Sequence, residues 1–123
     1  MMKSMRMATY IVGSPDASTG EVTVVKLGGT GGGELANVNR WRGQIGLGAI
    51  GATDLAAATA KIDSPIGAIS LVDCIGADQK TLAGWLRRDG STWFFKLTGP
   101  ATVVDAERAP FMSFLSSLEF PTK

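Results

Sequence analysis

Lys80–Thr98, KTLAGWLRRDGSTWFFKLT, consists of two runs of strand-forming residues joined at Asp89-Gly90. A type I′ turn needs positive φ at both central positions, and Asp-Gly between such runs is among the strongest short-range hairpin signals. The stretch therefore predicts strands over Lys80–Arg87 and Ser91–Thr98. In the second strand Trp93, Phe95 and Leu97 share one face, while Phe94 takes the other. Large apolar residues on both faces imply that both faces of the sheet are at least partly covered.

Working outward, Ala68–Ile75 (AISLVDCI) reads as a further strand. Near the start, Arg6–Val12 (RMATYIV) and Glu21–Leu27 (EVTVVKL) flank the turn-rich Gly13–Gly20 and predict an antiparallel hairpin with an eight-residue loop. Between these blocks Leu35, Val38, Trp41 or Arg42, and Ile45 recur at helical spacing, which predicts a helix over Glu34–Gln44 ending near Gly43 or Gly46. Thr53 is placed to cap a second helix from Asp54 to about Ile62, with Leu55, Ala58, Thr59 and Ile62 on one stripe and Pro65 closing it. After Gly99-Pro100, Val104, Phe111, Phe114 or Leu115, and Leu118 keep one helical phase over Ala101–Leu118. Thr102 and Asp105 there are spaced like a capping box. Pro110 removes an amide and crowds the Ala106 carbonyl, at a local cost of about 3 kcal/mol, so a kink is expected in a helix whose phase continues. The elements together predict a single α+β domain over residues 1–123, with an antiparallel sheet of about five strands packed by helices.

Composition narrows the chemistry. The chain has 123 residues, 45% apolar and 19% charged, enough for one core. It contains no histidine, which excludes an imidazole base, a Ser-His-Asp triad and any His-ligated zinc site within the chain. Its one cysteine, Cys74, cannot form an intramolecular disulfide and reads as a small buried hydrophobe. Twelve Lys/Arg against eleven Asp/Glu leave a net charge of +1, with no cationic run longer than Arg87-Arg88. That is no electrostatic footprint for nucleic acid or acidic lipid. Met1–Met7 lacks the apolar core of a signal peptide and no apolar run is long enough to cross a membrane, so the expectation is a cytoplasmic chain without a membrane span. The acids Glu34, Asp54, Asp63, Asp73, Asp78, Asp89, Asp105 and Glu107 form no pair that local spacing brings together. Asp73 interrupts an apolar strand and calls for a partner such as Arg87 or Lys96 if buried. No cofactor, metal site or catalytic residue is expected.

Sixteen glycines are present, nine of them between Gly28 and Gly51. GGTGGG at Gly28–Gly33 lies between a strand and a helix, where helix amides can cradle an anion. The phosphate-loop pattern fails, because Gly33 is followed by Glu34 and not by Lys-Ser/Thr. GxGxxG also needs a parallel βαβ unit. The glycines are read first as a flexible turn. In ELANVNRWRGQ, Asn37, Arg40 and Gln44 fall on one face and Leu35, Val38, Trp41 and Ile45 on another. Such a polar stripe recognises a carboxylate, a phosphate or a partner's backbone, or it satisfies the carbonyls of the glycine loop, which is the commoner use.

Three strings resemble a group of uncharacterised bacterial proteins frequent in planctomycetes: GGTGGGELANVNRWRGQIGL at Gly28–Leu47, TWFFKLTGP at Thr92–Pro100, and FMSFLSSLEF at Phe111–Phe120. Their ending and strand order are similar to the PsbP-like α/β/α sandwich of an extrinsic photosystem II subunit and of a nuclear-import factor that binds a small GTPase. The resemblance implies a non-catalytic binding or assembly domain whose relatives are exported or membrane-anchored. Two departures stand out. The chain starts almost at its first strand, which suggests a shortened version or a fragment, and GAIGATDL replaces the proline-containing stretch of the relatives. A missing segment would leave a sheet edge or face exposed, and self-association would cover it.

The leading expectation is a binding or protein-interaction module that engages a protein partner or forms a homodimer. Its surface would comprise Asn37, Asn39, Arg40, Trp41, Arg42 and Gln44, together with Gly31, Gly32 and Gly33 of the loop. The alternative is a small-anion binder or enzyme using the Gly28–Gly33 amides with Arg40 or Arg42. Nucleic-acid binding through Arg40, Trp41 and Arg42 ranks last at this net charge.

Overall fold

The computed structural model describes residues 4–13, 19–29 and 33–118. Along the chain run β1 (Ser4–Gly13), β2 (Thr19–Gly28), α1 (Glu34–Gln44), α2 (Ala52–Ala58), β3 (Ala60–Ser64), β4 (Gly67–Ile75), β5 (Gln79–Arg88), β6 (Ser91–Pro100) and α3 (Ala101–Ser116). The strands form one six-stranded sheet in the order β1-β2-β6-β5-β4-β3, antiparallel throughout. Strand β6 therefore joins the N-terminal hairpin to the second half of the chain. Asp89 (φ 52°) and Gly90 (φ 77°) both take the positive φ that a two-residue hairpin turn demands.

The alternation read in β6 sets the layers. Phe95 and Leu97, with Val24, Ile69, Leu71, Leu82 and Leu86, pack against Val104, Phe111 and Leu115 of α3. On the opposite face Phe94, with Leu27, Val72, Cys74, Ala83 and Trp85, packs against Val38 and Trp41 of α1 and Leu55 of α2. Trp41 meets Phe94 edge-on at 5.8 Å between centroids and Trp85 at 6.1 Å. Helices thus cover both faces of the sheet, giving an α/β/α arrangement.

Several local expectations need correction. The second helix ends at Ala58, where the Thr59 amide and hydroxyl both donate to the Leu55 carbonyl. Residues 60–64 then pair with β4, with Ile62 opposite Ile69, so the sheet has six strands and not about five. Pairing with a neighbouring strand, which no local pattern reports, overrides the helical stripe that included Ile62. Gly51 and not Thr53 occupies the cap position of α2. Thr102 and Asp105 form no capping box, because the chain enters α3 at Pro100 without a side-chain cap and Asp105 instead accepts from Lys80 at 2.7 Å. Helix α3 continues through the exposed Pro110. The N-terminal hairpin forms with Gly13 opposite Thr19 and an irregularity between Arg6 and Ala8; residues 14–18 of its loop lie outside the described residues, as does the end of the FMSFLSSLEF string.

Asp73 finds its partner in α3. Both guanidinium Nη atoms of Arg108 donate to its carboxylate at 2.8 Å, so Arg87 and Lys96 are not the partners. That bidentate bond raises the pKa of Arg108 further above its usual value. Cys74 is buried, and desolvation pushes its thiol above the ordinary value; Asp73 adds to this, while Arg42 and Lys96 oppose it.

Two outcomes follow. A methyl on Gly84 would lie 3.1 Å from Ile69 Cγ2 and 3.3 Å from Leu115 Cδ1, so this glycine allows the close approach of α3. Gly84→Val is expected to lower stability in urea by about 1–3 kcal/mol through overpacking; an unchanged midpoint would contradict the packing of α3 on β5. The neutral, buried Cys74 thiol should react with a thiol-specific disulfide reagent at pH 8 only as the chain unfolds. Rapid stoichiometric labelling of the native chain would contradict its burial.

Candidate functional site

The region that the motifs single out centres on α1. Gly29, at the exit of β2, takes φ 59°; its amide donates to the Gly90 carbonyl at 2.8 Å, and its carbonyl accepts from the Thr92 hydroxyl at 2.8 Å. The start of the glycine loop is thereby tied to the β5–β6 turn. Thr30, Gly31 and Gly32 lie outside the described residues. Gly33, with φ 91°, is the residue from which α1 begins.

The polar residues of α1 divide their work in a way the helical stripe did not foretell. Asn37 is buried, and its Nδ2 donates to the Gly33 carbonyl at 2.7 Å, holding the loop's exit against the first turn. Asn39 makes a two-bond clip to Ile50, with Nδ2 donating to the carbonyl at 3.0 Å and Oδ1 accepting the amide at 2.8 Å. Arg42 Nε donates to the Gly48 carbonyl at 2.7 Å, and the Leu47 amide donates to the Arg42 carbonyl at 2.8 Å. Asn39 and Arg42 therefore restrain the irregular chain between α1 and α2, whose backbone would otherwise lack partners. Gln44 accepts from Lys96 at 3.5 Å, and Lys96 Nζ stands 5.9 Å from the Trp41 ring centroid. Arg40 is exposed and makes no hydrogen bond or ion pair among the described residues.

The expectation that Asn37, Arg40 and Gln44 clip the glycine crossover together is met, among the described residues, by Asn37 alone, which bonds Gly33. The clips by Asn39 and Arg42 lie on the other side of the helix end, where a residue four or more positions downstream in an irregular loop is invisible to periodicity.

Electrostatics at the start of α1 are set by Glu34. Its carboxylate sits in the first turn, where the helix dipole favours it, and accepts from Trp85 Nε1 at 2.8 Å. Trp85 lies 51 residues downstream, and the only signal for this contact was that a buried indole N–H needs an acceptor. An incoming phosphate at these amides meets a negative charge already in place. Two open clefts flank Glu34. One, of about 240 Å³, is lined by Gly33, Trp85, Arg87, Thr92 and Phe94, and the other, of about 530 Å³, lies among α2, Lys61 and Ser70.

A third feature lies on the α3 face at the β1 side of the sheet. Tyr10 and Val12 of β1, Val22 of β2, and Pro110, Phe111 and Phe114 of α3 line an apolar groove of about 390 Å³, with Glu107 beside them. Around it Tyr10 is 58% and Phe114 36% exposed, and Ile11, on the reverse face of β1, is 68% exposed. Sequence reading missed this groove. Its signal was the Tyr-Ile-Val run in the first strand, which no predicted helix was assigned to cover.

Among the described residues no three His, Cys, Asp or Glu side chains are grouped as metal ligands would be, and no helix is long and apolar enough to cross a membrane. No protein-family model matches the chain, and no curated protein matches it significantly. Among solved structures, the chain is similar to protein PA94 of Pseudomonas aeruginosa, a protein of unknown function described as a candidate regulator. The identity is 12% and the TM-score 0.49, over 100% of this chain and 85% of that one.

The contacts of α1 separate its polar residues by consequence. Asn39→Ala leaves both polar groups of Ile50 without their partner and is expected to cost about 1–3 kcal/mol in urea unfolding. Arg40→Ala is expected to stay within about 0.5 kcal/mol of wild type. The reverse ranking would overturn this division of roles.

Proposed function

We propose that the chain is a non-catalytic protein-interaction module with a PsbP-like sandwich architecture, and that its docking side is the flank formed by β1 and α3. The observation that carries this reading is the exposure of Tyr10 and Phe114 at an apolar groove, with Ile11 exposed on the other face of β1, which is an edge strand among the described residues. Exposed apolar side chains gathered at a groove are the kind of surface by which proteins engage partners. Helical layers on both faces support the PsbP-like assignment, as does the place of the WFFKLTGP string in β6, a central strand.

The α1 motif takes an architectural part in this reading. Asn37, Asn39 and Arg42 donate to carbonyls of their own chain, and Trp41 is buried between Trp85 and Phe94. Of the residues singled out there, Arg40 and Gln44 retain exposure for a partner. The small-anion alternative depends on Arg40, with Arg42 already engaged at Gly48 and Glu34 opposing a second negative charge.

A thermal-shift panel of inorganic phosphate, nucleotides and small carboxylates decides between the two. The interaction-module reading expects no saturable rise in Tm with any of them. A rise that saturates in the wild type and disappears in Arg40→Ala would overturn it in favour of anion binding.

A further inference from the structure

We infer that the cleft between the start of α1, α2 and the β3–β4 pair binds a small zwitterion, a free amino acid with an aliphatic side chain. The site lies on the α1 face, toward the opposite edge of the sheet from β1. It goes beyond the interaction-module reading and does not rest on it.

Strand pairing builds the floor. Lys61 of β3 lies opposite Ser70 of β4, and Ser70 lies opposite Trp85 of β5, so the three form one row on the α1 face. Lys61 Nζ donates to Ser70 Oγ at 2.9 Å. At the other end of the row Trp85 Nε1 donates to Glu34 Oε2 at 2.8 Å, which fixes the carboxylate at the cleft wall. Neighbouring strands are about 4.8 Å apart, so the row sets the ammonium and the carboxylate on the order of 5–10 Å from each other. Among the described residues neither Glu34 nor Lys61 joins an ion pair.

The unused donors and acceptors define the ligand's two ends. In accepting from Lys61 the Ser70 hydroxyl keeps its own proton to donate, and the ammonium has further N–H donors beyond the one that Ser70 takes. No group among the described residues accepts them. Ser70 is only 6% exposed, so its unmatched proton is costly unless something in the cleft takes it. A carboxylate, with several lone pairs, meets the Ser70 and Lys61 donors together. The second oxygen of Glu34 is likewise without a partner among the described residues, and it accepts from an ammonium.

Charge and shape select the class. Of the residues lining the cleft, Glu34 and Lys61 alone are charged. A phosphate or a plain carboxylate at Lys61 and Ser70 brings its negative charge toward Glu34 with nothing to offset it, and a plain amine at Glu34 meets Lys61 in the same way. A molecule that carries both charges satisfies both ends. The remaining wall is apolar, formed by Leu35, Ala52, Leu55 and Ala56, and suits an aliphatic side chain. The volume, about 530 Å³, falls within the range of small-molecule sites.

The test is isothermal titration calorimetry of the full chain with L-leucine at up to millimolar concentration. Saturable heat is expected, with binding about tenfold or more tighter than that of isocaproate, which lacks the ammonium, or isopentylamine, which lacks the carboxylate. Lys61→Met keeps the aliphatic stem, and Glu34→Gln keeps an oxygen for the Trp85 indole. Each should weaken leucine binding about tenfold or more, and because both residues are exposed both variants fold. The Trp85 indole N–H resonance should move as leucine is added, since it bonds the carboxylate that the ligand engages. No saturable heat with leucine overturns the inference. So does binding that either substitution leaves unchanged, or isocaproate binding as tightly as leucine. An anion response that disappears in Arg40→Ala would overturn the interaction-module reading and leave this site standing, so the two failures are distinguishable.

Discussion

The rest of the structure depends on the hairpin of β5 and β6 being apolar on both faces at the centre of the sheet. Trp85 and Phe94 require cover on one side, and Leu82, Leu86, Phe95 and Leu97 on the other. A sheet of this kind has no solvent face to spare, so helices must return over it from both directions. One return is α3, which follows β6 directly and is fastened by the Asp73–Arg108 and Lys80–Asp105 pairs in its first half. Both pairs are partly exposed, so each contributes at most about 1 kcal/mol and serves to set the helix's place more than to stabilise it.

The other return is harder for the chain to make. To place Val38, Trp41 and Leu55 over the α1 face, the backbone leaves β2 through glycines, runs one helix, and crosses irregularly to a second short one. An irregular crossing has carbonyls and amides with no ladder to join. Asn37, Asn39 and Arg42 supply those partners, which accounts for three of the polar residues of NVNRWRGQ. The same layer leaves Thr9 and Ile11 of β1 exposed, and α3 leaves Tyr10 exposed on the other face. The apolar surface left over, Tyr10, Ile11 and Phe114, is therefore a consequence of how far the two helical layers reach.

How much of this was readable from residues alone follows from the range of each interaction. The Asp89-Gly90 turn, the two-faced reading of Trp93 to Leu97, and α1 from Glu34 to Gln44 rest on neighbours within a few positions, and the structure agrees with them. Strand β3 was hidden because Ala60–Ser64 has weak strand character and continues a helical stripe; only its pairing with β4 makes it a strand. Asp73 announced its need for a cation but not which one, since Arg108 is 35 residues away and reaches it through the docking of α3. The bond between Glu34 and Trp85 likewise exists only once α1 lies on β5. In the candidate site the residue types were legible as hydrogen-bonding groups, whereas their targets, Gly33, Gly48 and Ile50, depended on the path of a loop that periodicity does not describe.

The central claim is that the two-faced hairpin and the clipped crossing of α1 are parts of one cooperative structure. Native-state hydrogen exchange tests it most directly, through the Ile50 amide, which donates to Asn39, compared with amides of β5 and β6. The account predicts that Ile50 is protected and opens with nearly the same free energy as Leu82 and Phe95. Exchange of Ile50 near the rate of an unfolded chain, while the central strands stay protected, would contradict it.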